Sequence, residues 1–213
     1  MKMRALLVHG MGRTPLSWLW LAFGLRRAGV CTESVGYVAT LERFDAISAR
    51  ISDRIARIAR NGGYVVIGHS LGGMLLRQAL AGLPPGTRMP GRLFLLGSPT
   101  RVARLAARFQ FRRWYRLLAG DSGQLLADQA RMAAIPPALV PCTSIAGVAG
   151  WRSQGGPFGG EANDGIVAKS ELDATWIDEQ LDVPLVHTLL PSSRRVADMI
   201  LARLQVADGE IPS

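Results

Sequence analysis

Tyr64-Val65-Val66-Ile67-Gly68-His69-Ser70-Leu71-Gly72-Gly73-Met74-Leu75-Leu76 decides how this chain of 213 residues folds. Four β-prone apolar residues run into Gly68-His69-Ser70-Leu71-Gly72, and a helix-forming apolar stretch follows at once. In that strand–turn–helix context, Gly-x-Ser-x-Gly forms a nucleophile elbow. The turn is tight enough to strain the serine backbone. Residues two before and two after it must be small, or they would clash across the turn. Gly68 and Gly72 meet that requirement. The Ser70 hydroxyl is then lifted clear of the sheet, and the Leu71 N–H at the helix N-terminus can face a developing oxyanion.

Outward from the elbow, strands and helices alternate. Arg4–Val8 is expected as a buried strand ending in the loop His9-Gly10-Met11-Gly12-Arg13-Thr14-Pro15. Ser17 is the expected N-cap of an apolar helix that runs to about Arg27 and closes at Gly29. Val30–Val38 follows as a second strand. Phe44–Ala59 carries Ile47, Ile51, Ile55 and Ile58 on one face, an amphipathic helix stopped by Asn61-Gly62-Gly63. Leu71–Ala81 is the elbow helix and Leu93–Leu96 a further strand. Helical patterns cover Val102–Leu118 and Gln124–Ala134, Ser144–Val148 and Leu185–His187 are the last expected strands, and Arg194–Leu204 closes the chain. This alternation predicts an α/β fold with a mostly parallel sheet between two helical layers. Ligands in such sheets sit outside the carboxyl ends of the strands.

Hydrophobic residues make up 48% and charged residues 19%, which predicts a folded globular chain and excludes a disordered one. No repeat or linker divides residues 1–213, so one domain is expected, with a lid-like helical insertion at about 99–135. The apolar run Ala5–Val8 is too short for a signal-peptide core, and Leu16–Leu25, apolar apart from Ser17 and Gly24, is about half the length of a membrane span. A cytoplasmic location is therefore expected. Cys31 and Cys142 are expected as buried reduced thiols, and no Cys/His spacing suggests a metal site. The net charge of +9 comes almost wholly from arginine and favours anionic partners.

A serine hydroxyl needs an adjacent base to become a nucleophile, and the chain has three histidines. His69 precedes the serine, so its ring points away across the elbow in an orienting or packing role. His9 more plausibly shapes the loop after the first strand. His187 remains, after Asp182-Val183-Pro184-Leu185-Val186, where it can reach back over Ser70. The third member is an acid between Ser70 and His187 that holds the imidazole tautomer. Asp164, in Glu161-Ala162-Asn163-Asp164-Gly165-Ile166-Val167, sits in a turn that would fix a carboxylate, with Glu161 as the first alternative. Glu171 to Asp182 form a mixed acidic stretch expected on a solvated face. A second oxyanion donor is expected from the loop after the first strand, at the Met11 N–H, with His9 and Gly10 shaping that loop.

His9-Gly10-Met11-Gly12, Gly68-His69-Ser70-Leu71-Gly72-Gly73, Leu96-Gly97-Ser98-Pro99, Asn163-Asp164-Gly165-Ile166-Val167 and His187 occur in the order and spacing of the α/β-hydrolase superfamily. More narrowly, the chain resembles its compact bacterial lipase/esterase branch, which includes small lipases and proteins similar to the GPI inositol-deacylase catalytic domain. The resemblance runs from Leu6 to Leu204. It implies Ser70 as nucleophile, Asp164 as acid, His187 as base, Met11 and Leu71 as oxyanion donors, and hydrolysis of a carboxylic ester without metal or cofactor. A thioesterase or amidase would use the same machinery.

The chain departs from the smallest members between Ser98 and Pro136. There Arg101, Arg104, Arg108, Arg112, Arg113 and Arg116 interleave with Val102, Leu105, Phe109, Phe111, Trp114, Leu117 and Leu118. One reading is a packed covering helix with its arginines in water. The other is an interfacial lid whose segment Arg101–Arg116 contacts anionic membrane. No nucleic-acid partner is expected, since the aromatics form no stacking platform. Met11, Leu16, Trp18, Leu71 and Phe158 are the expected apolar residues near the cleft, which suits a hydrophobic acyl ester or a lipid. A different class of reading is a non-catalytic protein of this fold that binds membrane or a protein partner.

Overall fold

A computed structural model describes residues 2–207, with side chains for all of them except 114–118 and 205–207. Six strands, β1 (Arg4–Val8), β2 (Cys31–Val35), β3 (Tyr64–His69), β4 (Leu93–Leu96), β5 (Cys142–Gly147) and β6 (Glu179–Val183), form one sheet in the order β2-β1-β3-β4-β5-β6. Every pairing is parallel. The helices are α1 (Leu19–Arg27), α2 (Phe44–Ala59), α3 (Leu71–Ala81), α4 (Arg104–Phe109), α5 (Arg113–Ala127), α6 (Gln129–Ala134) and α7 (Arg194–Ala207).

The two-residue period of the strands divides the core. Leu6, Val8, Val66, Leu93 and Leu95 pack with α2 and α3 on one face. Ala5, Leu7, Val65, Ile67, Phe94 and Leu96 pack with α1 and α7 on the other. The three-layer α/β arrangement expected from the alternating pattern is therefore present. The chain starts at β1, steps out to β2, and returns across β1 to β3, so the strand order reverses direction there. The loops leaving β1 and β3, which carry Met11 and Ser70, flank that switch point, where open α/β sheets leave a crevice for ligands.

Several local expectations differ from what is found. Ser17 does not cap a helix: Pro15–Trp18 form a 3-10 turn with proline at its start, and the Ser17 hydroxyl donates to Thr14 O at 2.8 Å. The second strand ends at Val35, not Val38, because the chain then turns to stack Tyr37 on His9. The long pattern Val102–Leu118 is interrupted between α4 and α5. Gly120, inside α5, takes φ 57 and ψ −154 where the backbone presses on Ala39 and Thr40, so that helix is kinked. The last strand is Glu179–Val183, not Leu185–His187. β6 is a half-exposed edge strand, and its polar residues gave it the look of a solvated stretch. Glu171, from the same stretch, is buried and accepts the Arg104 N–H at 2.5 Å and the Ala168 N–H at 2.6 Å. Both cysteines are free, but only Cys142 is buried; Cys31 is half-buried.

Candidate active site

Ser70 is the one described non-glycine residue with positive φ, at φ 52 and ψ −123. Such a conformation costs about 1–3 kcal/mol and persists only where the surroundings enforce it. Here they do. Its N–H donates to Leu96 O at 2.9 Å, tying the turn to β4. A Cβ on Gly68 would lie 2.5 Å from the Gly73 backbone, and one on Gly72 would lie 2.0 Å from Val8 O. Only glycines let β1, the turn and α3 approach this closely. Leu71 is the first residue of α3, so its N–H has no acceptor within the helix.

His187 opens a 3-10 turn, His187–Ser192, directly beyond β6. Its Nδ1 lies 2.6 Å from Asp164 Oδ2, and both side chains are buried. The carboxylate is held from its other side as well: Oδ1 accepts the Ile166 N–H at 2.9 Å and the Val167 N–H at 2.7 Å. The Asp164 carbonyl in turn accepts the His187 N–H at 2.9 Å. Side chain and backbone therefore clamp the two residues twice, which fixes one orientation of the imidazole. Glu161, the alternative acid, faces elsewhere; it accepts the Ser170 N–H at 2.7 Å and pairs with Arg104 at 2.9 Å.

The other two histidines stand where their burial predicts. His69 donates from Nε2 to the His187 carbonyl at 3.0 Å, and the two rings lie 4.7 Å apart. Trp18 meets the same ring edge-on. Burial above all, and then the neighbouring His187, push His69 well below the ordinary histidine range. His69 is therefore a neutral donor to the backbone of His187. His9 stacks on Tyr37 with centroids 4.1 Å apart, and Tyr37 donates its hydroxyl to the His9 carbonyl. Burial lowers His9 too, and its Nδ1 lies 2.9 Å from the Gly10 carbonyl. A Cβ on Gly10 would lie 2.9 Å from His69 Nδ1 and 3.1 Å from Ser70 Cβ, so the β1 loop rests directly on the elbow.

Two residues quoted from the sequence without a role prove central to this geometry. Gly97 has φ 54, and a Cβ there would lie 3.0 Å from both Asp164 Oδ2 and His187 Nδ1. It is the gap through which the His187–Asp164 pair approaches β4. Asn163 is wholly buried, donates to Trp151 O and Glu161 O, and accepts the Gly165 N–H, which sets the turn that presents Asp164. The legible signals were a glycine at the carboxyl end of an apolar strand and an Asn-Asp-Gly turn. By contrast, Trp18 and Leu71 are core residues on opposite sheet faces, not cleft walls. Phe158 lines a hollow of about 440 Å³ beside Asn163 and Gly165.

Residues 5–210 match the alpha/beta hydrolase family. The chain belongs to that family. No curated protein is significantly similar in sequence. Among solved structures, this alpha/beta hydrolase is similar to the lipase BlEst2 of Bacillus licheniformis in its mature form, at 13% identity and a TM-score of 0.65, covering 97% of this chain and 92% of that one. It is also similar to RedJ, a thioesterase from the prodiginine biosynthetic pathway of Streptomyces coelicolor, at 16% identity and a TM-score of 0.62, with 96% and 85% covered. Human thioesterase 2 matches at 13% identity and a TM-score of 0.62, with 99% of each chain covered. At these identities the likeness is one of fold, and membership of the alpha/beta hydrolase family indicates a hydrolase.

Proposed function

We propose that the chain is a serine hydrolase that cleaves carboxylic esters through Ser70, His187 and Asp164. Two observations support this reading: the buried His187–Asp164 pair at 2.6 Å and a serine strained to φ 52 at the turn into α3. Asp164 holds the proton on Nδ1, which leaves Nε2 free to accept one. Ser70 Oγ attacks the acyl carbonyl carbon while His187 Nε2 takes its proton. The carbonyl oxygen becomes an oxyanion between the N–H groups of Met11 and Leu71. The C–O bond to the leaving alcohol then breaks, and the imidazolium returns the proton to the departing oxygen. A water deprotonated by the same nitrogen attacks the acyl-enzyme, and the acid leaves as Ser70 regains its proton.

The segment at 99–135 is a cover in this reading. The Arg104 N–H is held by Glu171, its guanidinium by Glu161, and Arg77 donates to Ile135 O at 2.7 Å, so both ends are tied to the body of the fold. The side chains of Trp114, Arg116, Leu117 and Leu118 lie outside the described residues. The substrate is a hydrophobic acyl ester. p-Nitrophenyl esters of increasing chain length, beside a matched thioester and anilide, test this. Ester turnover that vanishes in Ser70→Ala supports the reading. Preference for the thioester would make the enzyme a thioesterase, and no turnover of any acyl substrate would overturn it.

A further inference from the structure

The first helix is apolar on two faces, and only one is used by the fold. Trp18, Leu21, Ala22 and Leu25 are buried against the sheet and α7. Leu19, Trp20 and Phe23 of α1, with Leu16 of the 3-10 turn that leads into it, are 62%, 70%, 55% and 70% exposed. Scattered exposed leucines need no explanation, but a contiguous stripe with two aromatics marks a contact surface.

The surroundings of the stripe say what it meets. Trp20 and Phe23 form, with Arg27, Ser192, Arg194 and Asp198, a groove of about 580 Å³ between α1 and α7. The Arg27 guanidinium lies 5.8 Å from the Phe23 ring centroid. Among the described residues, Arg27 and Arg194 have no carboxylate at ion-pair distance, unlike Arg4, Arg50, Arg54, Arg104, Arg131 and Arg203. Among the described residues, Asp198 is the only carboxylate in the groove. Unpaired guanidinium groups rimming exposed tryptophan, phenylalanine and leucine complement a surface that offers anionic headgroups above acyl chains. No helix among the described residues is long and apolar enough to cross a membrane. The stripe is therefore matched to lying in an interface.

The geometry points to the outer face of α1, with the α1/α7 groove, as a docking surface for an anionic phospholipid bilayer. The arginines meet headgroup phosphates and the Leu16–Phe23 stripe enters the acyl boundary. This places the contact on α1, not on the Arg101–Arg116 segment. The surface does not depend on the hydrolytic reading, because Ser70→Ala leaves it intact.

Co-sedimentation with phosphatidylcholine vesicles, with and without phosphatidylglycerol, tests the assignment. The intact protein is expected to bind the anionic vesicles and to be released by salt. Trp20→Ser combined with Phe23→Ser is expected to weaken binding roughly tenfold or more. Arg27→Glu with Arg194→Glu should abolish the preference for phosphatidylglycerol. Ser70→Ala should bind as the wild type does. Since all four substituted side chains outside the site are exposed, circular dichroism should report unchanged folds. Failure of the intact protein to bind anionic vesicles, or equal binding by the Trp20/Phe23 variant, overturns the proposal. A dimer that the Trp20/Phe23 variant dissociates, without vesicle binding, would also overturn it and assign the stripe to a second copy of the chain.

Discussion

Replacing Asp164 separates the carboxylate's chemical task from its structural one. In Asp164→Asn, one side-chain oxygen can still accept the Ile166 and Val167 N–H groups, now 2.9 and 2.7 Å from Oδ1. The amide NH2 then faces His187 Nδ1, 2.6 Å from the present Oδ2. Two donors cannot share that contact, so Nδ1 must become the acceptor and the imidazole proton moves to Nε2. That nitrogen is the one required to take the Ser70 proton. Turnover should fall about 10⁴-fold, equivalent to about 5.4 kcal/mol of barrier, with the fold stable to within about 1 kcal/mol. In Asp164→Ala the same loss of turnover is expected, but both turn N–H groups lose their acceptor. The Val167 N–H is buried and the Ile166 N–H only partly so, so stability should drop by about 1–3 kcal/mol. Initial rates on a p-nitrophenyl ester and urea denaturation measure the two effects. An asparagine variant that keeps its turnover within about tenfold would refute the role given to Asp164.

Further expectations concern the parts around that pair. Gly97→Ala forces an L-residue into φ 54 and sets a methyl 3.0 Å from Asp164 Oδ2 and His187 Nδ1. It should lower stability by about 1–3 kcal/mol and also impair turnover, where a purely structural glycine would affect stability alone. His69→Ala removes the donor to the His187 carbonyl and should reduce kcat about 10²-fold. His69→Gln, which can still donate, should recover much of that loss, and equal rates in the two variants would contradict the positioning role. Glu171 is raised above 4.5, chiefly by burial. Between 4.5 and that raised value the folded state keeps a proton that the unfolded chain has released. The wild type should therefore lose stability relative to Glu171→Gln as pH rises through this window. Parallel stability–pH profiles from urea titrations would contradict it.

Most of the fold was legible because its elements obey strong local rules. The isoleucine period of α2, the apolar runs of β1, β3 and β4, and the glycines of the elbow leave little choice of structure. The edge strand β6 was missed because an edge strand is only half covered, so Glu179, Gln180 and Asp182 look like solvent-facing loop. Glu171 was misplaced for a related reason: its burial depends on the Arg104 N–H, which is distant in sequence. Ser70, Asp164 and His187 could be singled out as candidates from spacing and from the small number of histidines, and the structure sets His187 Nδ1 2.6 Å from Asp164 Oδ2. The contact of Gly97 with the acid–base pair was not, since it exists only once β4 lies beside β3 and the turn after β6 folds over both. The exposed stripe on α1 was visible as an apolar run, but which residues face water depends on the docking of Trp18 and Leu21.

The central claim is that Ser70 is an activated nucleophile, and a fluorophosphonate tests it without knowledge of the natural ester. The phosphorus is attacked by the serine oxygen and fluoride leaves, so a covalent adduct reports the reaction directly. Incubation of the wild type, followed by peptide mass spectrometry, should locate a single phosphonyl adduct on Ser70. The adduct should be absent from Ser70→Ala and strongly slowed in His187→Ala. An unlabelled wild type, or equal labelling of Ser70→Ala, would contradict the account.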